Sequence, residues 1–250
     1  MRARGIVWYE ARVVFGLSSA LAALIPPLFA LFQWFVWTQR LEPAYEWEIT
    51  RALTLTVCLA GGLGAAHLMG VERQEGFDEL RRTYPESPWR LPLLRTAGAV
   101  ATTALPLLLA MVIFRIGYGP YDLGTTVLPA LAPAAFLLGL GLLLGNLTGS
   151  YWAAGGGVLA YWFFEVFTRS DPVTGPLYLF HPIYPVAGVS NDLNRALVTG
   201  LGVAMLAANA LWTARRTNPS MARHRGRTAL RPAPAAYAQP ADDREGRHDD

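Results

Sequence analysis

The chemistry this chain can offer is concentrated in one stretch. Glu72, Arg73, Glu75, Asp78, Glu79, Arg81 and Arg82 lie within eleven consecutive residues, directly after an apolar run. Phe77, Leu80 and Tyr84 fall at i, i+3 and i+7, one face of a short helix. Asp78 stands four residues ahead of Arg82, the favourable order for a helical ion pair. Arg81 and Arg82 close the segment, and Pro85 stops it. A helix of this kind either lies in lipid headgroups or docks on a protein. Headgroup-binding helices carry a polar face rich in Lys and Arg, whereas this one is half acidic. A protein groove of complementary charge accounts better for the acids.

Other reactive groups are sparse. All 21 basic residues are arginine, so within these residues neither a Schiff-base lysine nor a P-loop lysine exists. Cys58 is the single cysteine, which excludes an intrachain disulfide and a cysteine zinc site. His67 is the one histidine inside an apolar run, read as a hydrogen-bonded packing residue; a bis-histidine haem needs two. No H-E-x-x-H occurs, and no G-x-S-x-G elbow frames Ser150. Glu165 is expected near the end of an apolar run, where it reaches headgroup water or else lines a substrate exit. The runs offer almost no convergent polar residues, so no catalytic residue and no metal site is expected.

These residues need a frame, and composition supplies it. Hydrophobic residues make up 53% of the 250 and charged residues 16%, against about 25% charged in soluble domains. Six apolar runs approach the roughly 20 residues of a helical crossing: Val13–Trp37, Ala52–Val71, Thr96–Phe114, Thr126–Leu147, Tyr151–Phe167 and Ala196–Ala214. With backbone groups obliged to pair internally in hydrocarbon, the fold class is all-α, a polytopic membrane protein of six transmembrane helices. The first run is expected to remain as a span, because it exceeds a signal-peptide core.

Arginine sets the orientation. In a six-span arrangement sixteen arginines fall on one side. The other side keeps Arg40, Arg51, Arg115, Arg169 and Arg195, so both termini are expected in the cytoplasm, with the chain multi-pass in a plasma membrane, of prokaryotic type. Trp and Tyr near the run ends agree with interfacial belts. Residues 1–216 form the membrane domain. Residues 217–250, rich in Pro, Ala, Arg and Asp, read as a disordered cytoplasmic tail whose basic half faces anionic membrane lipids. Nothing points to nucleic acid.

Gly61, Gly62, Gly64, Gly155, Gly156 and Gly157 are expected where helices approach closely. Prolines 26, 27, 106, 129 and 133 are candidate kinks. The link after the fifth run is unusually apolar, and Leu177, Tyr178, Leu179, Phe180, Ile183 and Tyr184 are expected to dip into the outer interface. His181 reads as a residue of the loop's fold.

The inner link resembles the cytoplasmic loop after the second span of ABC-2 type exporter permeases. That pattern is E-x-x-x-G-x-x-E-L, then Pro, a small residue and a basic residue opening the third span. Glu72, Gly76, Glu79, Leu80, Pro85, Ser87 and Arg95 stand at those spacings. The N-terminal WYEARVV, with Glu10 and Arg12, is similar to the family's amphipathic helix leading into the first span. A large extracellular domain between spans one and two, which some members carry, is absent.

The resemblance implies a coupling helix over residues 72–85 that seats in a separate cytoplasmic ATP-binding subunit. Phe77, Leu80 and Tyr84 would fill the groove, and Glu75, Asp78, Glu79, Arg81 and Arg82 would set register. Gly145–Ser150 would be a smaller second contact, and short re-entrant helices would occupy the outer link. ATP and magnesium would be bound only in that partner, and a second permease copy or paralogue would complete the path. The substrate would be hydrophobic or amphipathic. The alternative is a membrane enzyme or scaffold not coupled to ATP.

Overall fold

The structure, a computed structural model, describes residues 16–39, 45–74, 89–169 and 173–217. The amphipathic N-terminal helix, residues 75–88 and the tail from 218 lie outside the described residues. Within them every regular element is helical: α1 (Leu17–Gln39), α2 (Glu46–Gln74), α3 (Arg90–Tyr118), the single turn α4 (Leu123–Thr126), α5 (Leu128–Thr148), α6 (Tyr151–Phe167), a 3-10 turn at Gly175–Leu177, and α7 (Asn191–Thr217).

Five of these stretches are long and apolar enough to cross a membrane: α1, α2, α3, α4 continued by α5, and α7. α2, α3 and α7 outrun at both ends the apolar runs that announce them. α2 begins six residues before Ala52, with Glu46 and Glu48 in its first turn, where acids complement the helix dipole. Its 29 residues measure about 43 Å at 1.5 Å each, the full thickness of a bilayer with its headgroups. α6 has 17 residues, about 25 Å, short of the roughly 30 Å hydrocarbon core. α5 and α6 are joined by only Gly149 and Ser150. Gly149 takes φ +67°, the left-handed value that suits a residue without Cβ, and Ser150 caps α6 by accepting from the Ala153 amide. Gly145 to Thr148, expected as link, are helical.

Contacts fix the directions. Gly61 and Gly64 of α2 face Thr103 and Thr102 of α3, so that pair is antiparallel. α6 is antiparallel to α2 too: Trp162 Nε1 donates to the Leu55 carbonyl (3.0 Å) while Tyr151 abuts Gly70. α5 runs parallel to α2, with Gly141 against Gly62 and Gly145 against Met69. α7 runs parallel to α5, with Gly202 against Ala135 and Asn209 against Asn146. Trp37 of α1 packs on Phe114 and Tyr118 of α3, so these also run parallel. Direction therefore alternates through all six long helices, and the start of α1 lies at the same end as the finish of α7.

Among the five candidate spans α2 is the most enclosed, and α7 and α1 are the least. The main core joins Leu53 and Val57 of α2, Leu107 and Phe114 of α3, and Leu137 of α5 to the loop residues Tyr178, Leu179 and Phe180. The outward faces are apolar: Phe35, Leu93, Ile116, Trp152 and Phe167 stand open. Apolar patches of that extent are foreign to a soluble monomer, and lipid is the solvent that accepts them. The chain is a helical membrane protein.

Glycines make the closest seams. A Cβ on Gly141 would strike the Gly62 carbonyl, and one on Gly202 would sit 2.7 Å from the Ala135 backbone. Gly61, Gly62 and Gly64 lie at seams as expected. Gly156 does not, since nothing approaches its Cβ position within 4 Å, and Gly155 meets only Leu63, at 3.7 Å. A run of glycines in sequence does not reveal which face a partner helix occupies.

Candidate functional site

At the end where α2 finishes and α3 starts, Glu72 and Arg73 belong to the last turn of α2. Glu75, Gly76, Phe77, Asp78, Glu79, Leu80, Arg81, Arg82, Tyr84 and Pro85 lie outside the described residues. Their flanks are firm: α2 and α3 are packed neighbours, and Arg95, one turn into α3, is fully buried. The link is thus fastened at both ends to adjacent antiparallel helices.

The same end of the bundle contains a polar cluster that sequence reasoning missed. Asn146 Nδ2 on α5 donates to Asn209 Oδ1 (3.0 Å) and Thr213 Oγ1 (2.9 Å) on α7, and the Thr213 hydroxyl donates to the Asn209 carbonyl (2.9 Å). All three are buried, and Asn209 Nδ2 has no hydrogen-bond partner. The expectation of almost no convergent polar residues within the spans is therefore corrected. Asn209 and Thr213 at i, i+4 on an apolar helix were the available signal. Amides and a hydroxyl offer no acid or base at neutral pH, so this cluster clamps α7 to α5. His67, also here, is buried with its ring edge-on to Tyr151 at 5.6 Å.

The opposite end is closed by the segment after α6. Glu165 was expected to reach headgroup water, but its exposure is 0%. Its Oε2 accepts from the Leu179 amide (3.1 Å) and the Thr174 hydroxyl (3.3 Å). Its carboxylate faces inward because position 165 lies on the side of α6 turned to the loop, a fact that distance from a helix end cannot supply. Asn194, in the first turn of α7, donates from Nδ2 to the carbonyls of Pro176 (2.8 Å) and Tyr178 (2.9 Å). His181 is buried; its Nδ1 meets the Asn191 side-chain amide (2.8 Å) and its Nε2 the Val189 carbonyl (3.2 Å). As expected, it serves the fold of the loop.

Two side chains from α6 and α7 thus grip one short stretch from both sides, and Tyr178, Leu179 and Phe180 sink between the helices as a plug. The expected dip of these three into the outer interface is corrected: they are buried in protein, where polar backbone finds partners that hydrocarbon lacks. The re-entrant helices expected here reduce to one 3-10 turn. Burial, then the nearby Glu165 charge, pushes the Tyr178 hydroxyl above its ordinary pKa. At the rim, Arg51 and Arg169 both stand over the Tyr184 ring, 5.9 and 5.8 Å from its centroid.

Among the described residues no group of three or more His, Cys, Asp or Glu is placed to hold a metal ion. Among the described residues the arrangement offers a polar clamp at one end and a buried loop at the other, joined by close-packed helices. The chain matches no protein-family model, no curated protein and no solved structure.

Proposed function

We propose that this chain is the membrane-spanning permease subunit of an ATP-driven ABC-2 type exporter. In this reading α6 is a short sixth crossing that thins the bilayer locally. Both termini face the cytoplasm, and two copies or paralogues enclose a path with two cytoplasmic ATPase subunits bound beneath. Residues 72–85 receive the work of ATP hydrolysis, and the plug over Tyr178–Phe180 closes the far mouth until that work opens it. The substrate is hydrophobic or amphipathic, in keeping with a bundle whose interior carries few charges. The chain itself performs no bond chemistry.

The observation that carries this reading is the charged, half-acidic link at residues 72–85, with the family's spacing, strung between two packed antiparallel helices. A scaffold has no use for such a face, and the buried acid and base of the far loop, Glu165 and His181, are engaged in holding that loop.

The test is affinity purification of the full chain in mild detergent. An ATP-hydrolysing chain is expected to accompany it. Glu79→Arg is expected to lose that companion, and to uncouple hydrolysis from transport, with the bundle still folded. A wild-type protein that needs no ATPase, or a well-expressed Glu79→Arg variant that transports normally, overturns the proposal.

A further inference from the structure

Of the five arginines that a six-span arrangement leaves on its arginine-poor side, two converge on one ring. Arg51 comes from the second turn of α2, Arg169 from just beyond α6, and Tyr184 from the plug segment. Both guanidinium carbons lie within 6 Å of the Tyr184 centroid, so the two charges are within about 12 Å of each other. No carboxylate among the described residues forms an ion pair with either. Two like charges gathered at one ring repel, and an anion within reach of both relieves that repulsion. Cation–π contact with a phenol ring orients the guanidiniums without consuming their N–H donors.

We infer that Arg51, Arg169 and Tyr184 form a binding site for a phosphate group. A tetrahedral phosphate presents oxygens in several directions, so two guanidiniums arriving from different helices each find a pair, whereas a carboxylate has two oxygens in one plane. The setting suits a phosphodiester. Phe163 and Phe167, six and two residues before Arg169, stack at 5.9 Å with both rings exposed, so an apolar ridge adjoins Arg169 in sequence on the same helix end. The phosphate belongs either to a lipid headgroup or to a soluble phosphate compound, and the site stands whether or not an ATPase partners the chain.

Two arms separate the sources. In the first, the full chain in nanodiscs of phosphatidylglycerol is released into the mass spectrometer and its retained lipid is counted. In the second, the delipidated chain in detergent is titrated with inorganic phosphate by calorimetry. At least one arm is expected to show binding, weakened about tenfold for each arginine lost, hence about a hundredfold in Arg51→Gln/Arg169→Gln. Binding confined to nanodiscs identifies a lipid, and binding of inorganic phosphate identifies a soluble ligand. Equal binding by wild type and double variant, or none in either arm, overturns the site. Should the glutamine pair fail to fold, Arg51→Lys/Arg169→Lys keeps both charges but loses the bidentate fork. Its affinity is expected to fall several-fold, and an unchanged affinity refutes the guanidinium assignment.

Discussion

Replacing Asn194 with alanine tests the plug most directly. The Asn194 Nδ2 serves two buried carbonyls, those of Pro176 and Tyr178, and its loss leaves both without that donor. Each such group costs about 1–3 kcal/mol, so the closed plug weakens by roughly 2–4 kcal/mol once partial compensation is allowed for. Against this stands the burial of Tyr178, Leu179 and Phe180, all fully enclosed, worth about 1.5–3 kcal/mol apiece as an upper bound. Burial wins. The variant stays closed on average but opens roughly thirty- to a thousandfold more often.

The reporter is the Leu179 amide, which donates to Glu165 inside the plug and is released to exchange only when the plug opens. Hydrogen–deuterium exchange in detergent should show that increase at residues 177–180, with protection of α2 unchanged. Asn194→Asp should be worse than alanine, because it turns a carboxylate toward two carbonyl oxygens. Leu179 protection within threefold of wild type refutes the reasoning. So does an equal loss across every helix, or an aspartate variant no worse than alanine.

Two smaller predictions concern the seams. Gly202→Ala drives a methyl into the Ala135 backbone, and backbone cannot step aside, so thermal stability in detergent should fall by about 1–3 kcal/mol. Gly156→Ala, where nothing lies within 4 Å, should leave the melting temperature unchanged or raise it slightly, since Ala favours a helix interior over Gly, and equal effects at the two sites would contradict the packing described. Asn146→Leu removes both donors of the α5–α7 cluster and should cost about 0.6–2 kcal/mol in steric-trap or denaturant unfolding. A stabilised variant would show that the cluster does not clamp the helices.

Five spans were legible because twenty apolar residues have one meaning in a chain this poor in charge, and the bounds of the shorter helix α6 agree with its apolar run, Tyr151–Phe167. Helix ends were less legible. Glu46 and Glu48 look like loop by hydropathy, yet they belong to the first turn of α2, because a helix continues into the headgroup layer. Facing was the real blind spot. Gly141, Gly145 and Gly202 are isolated in sequence but sit against neighbouring backbone, whereas the conspicuous triple at 155–157 contains the open Gly156. Glu165 failed for the same reason: its depth was inferable but its azimuth was not. The plug was invisible, since an apolar loop near an interface and an apolar loop folded into its own bundle share one composition.

The two ends of the molecule are joined by helices in close backbone contact, where packing gives least. α2 and α5 touch backbone to backbone at Gly62 and Gly141, and again where Gly145 meets the Ala66 carbonyl. α5 is joined to α7 at Gly139 and Gly202 and by the Asn146–Asn209–Thr213 hydrogen bonds. α7 begins with Asn191 and Asn194, the residues that hold the loop of His181 and the plug. A displacement of the end of α2 that carries Glu72 therefore meets no soft layer before it reaches the plug. Close-packed seams transmit small shifts because interiors resist compression, and the segment at the end of this route is held by burial and a few polar anchors rather than by a helix ladder. For an exporter driven from the link, that order of stiffness puts the yielding point at the far mouth. For a static scaffold, the gripping of a single loop by two helices at Glu165 and Asn194 would have no purpose beyond closure.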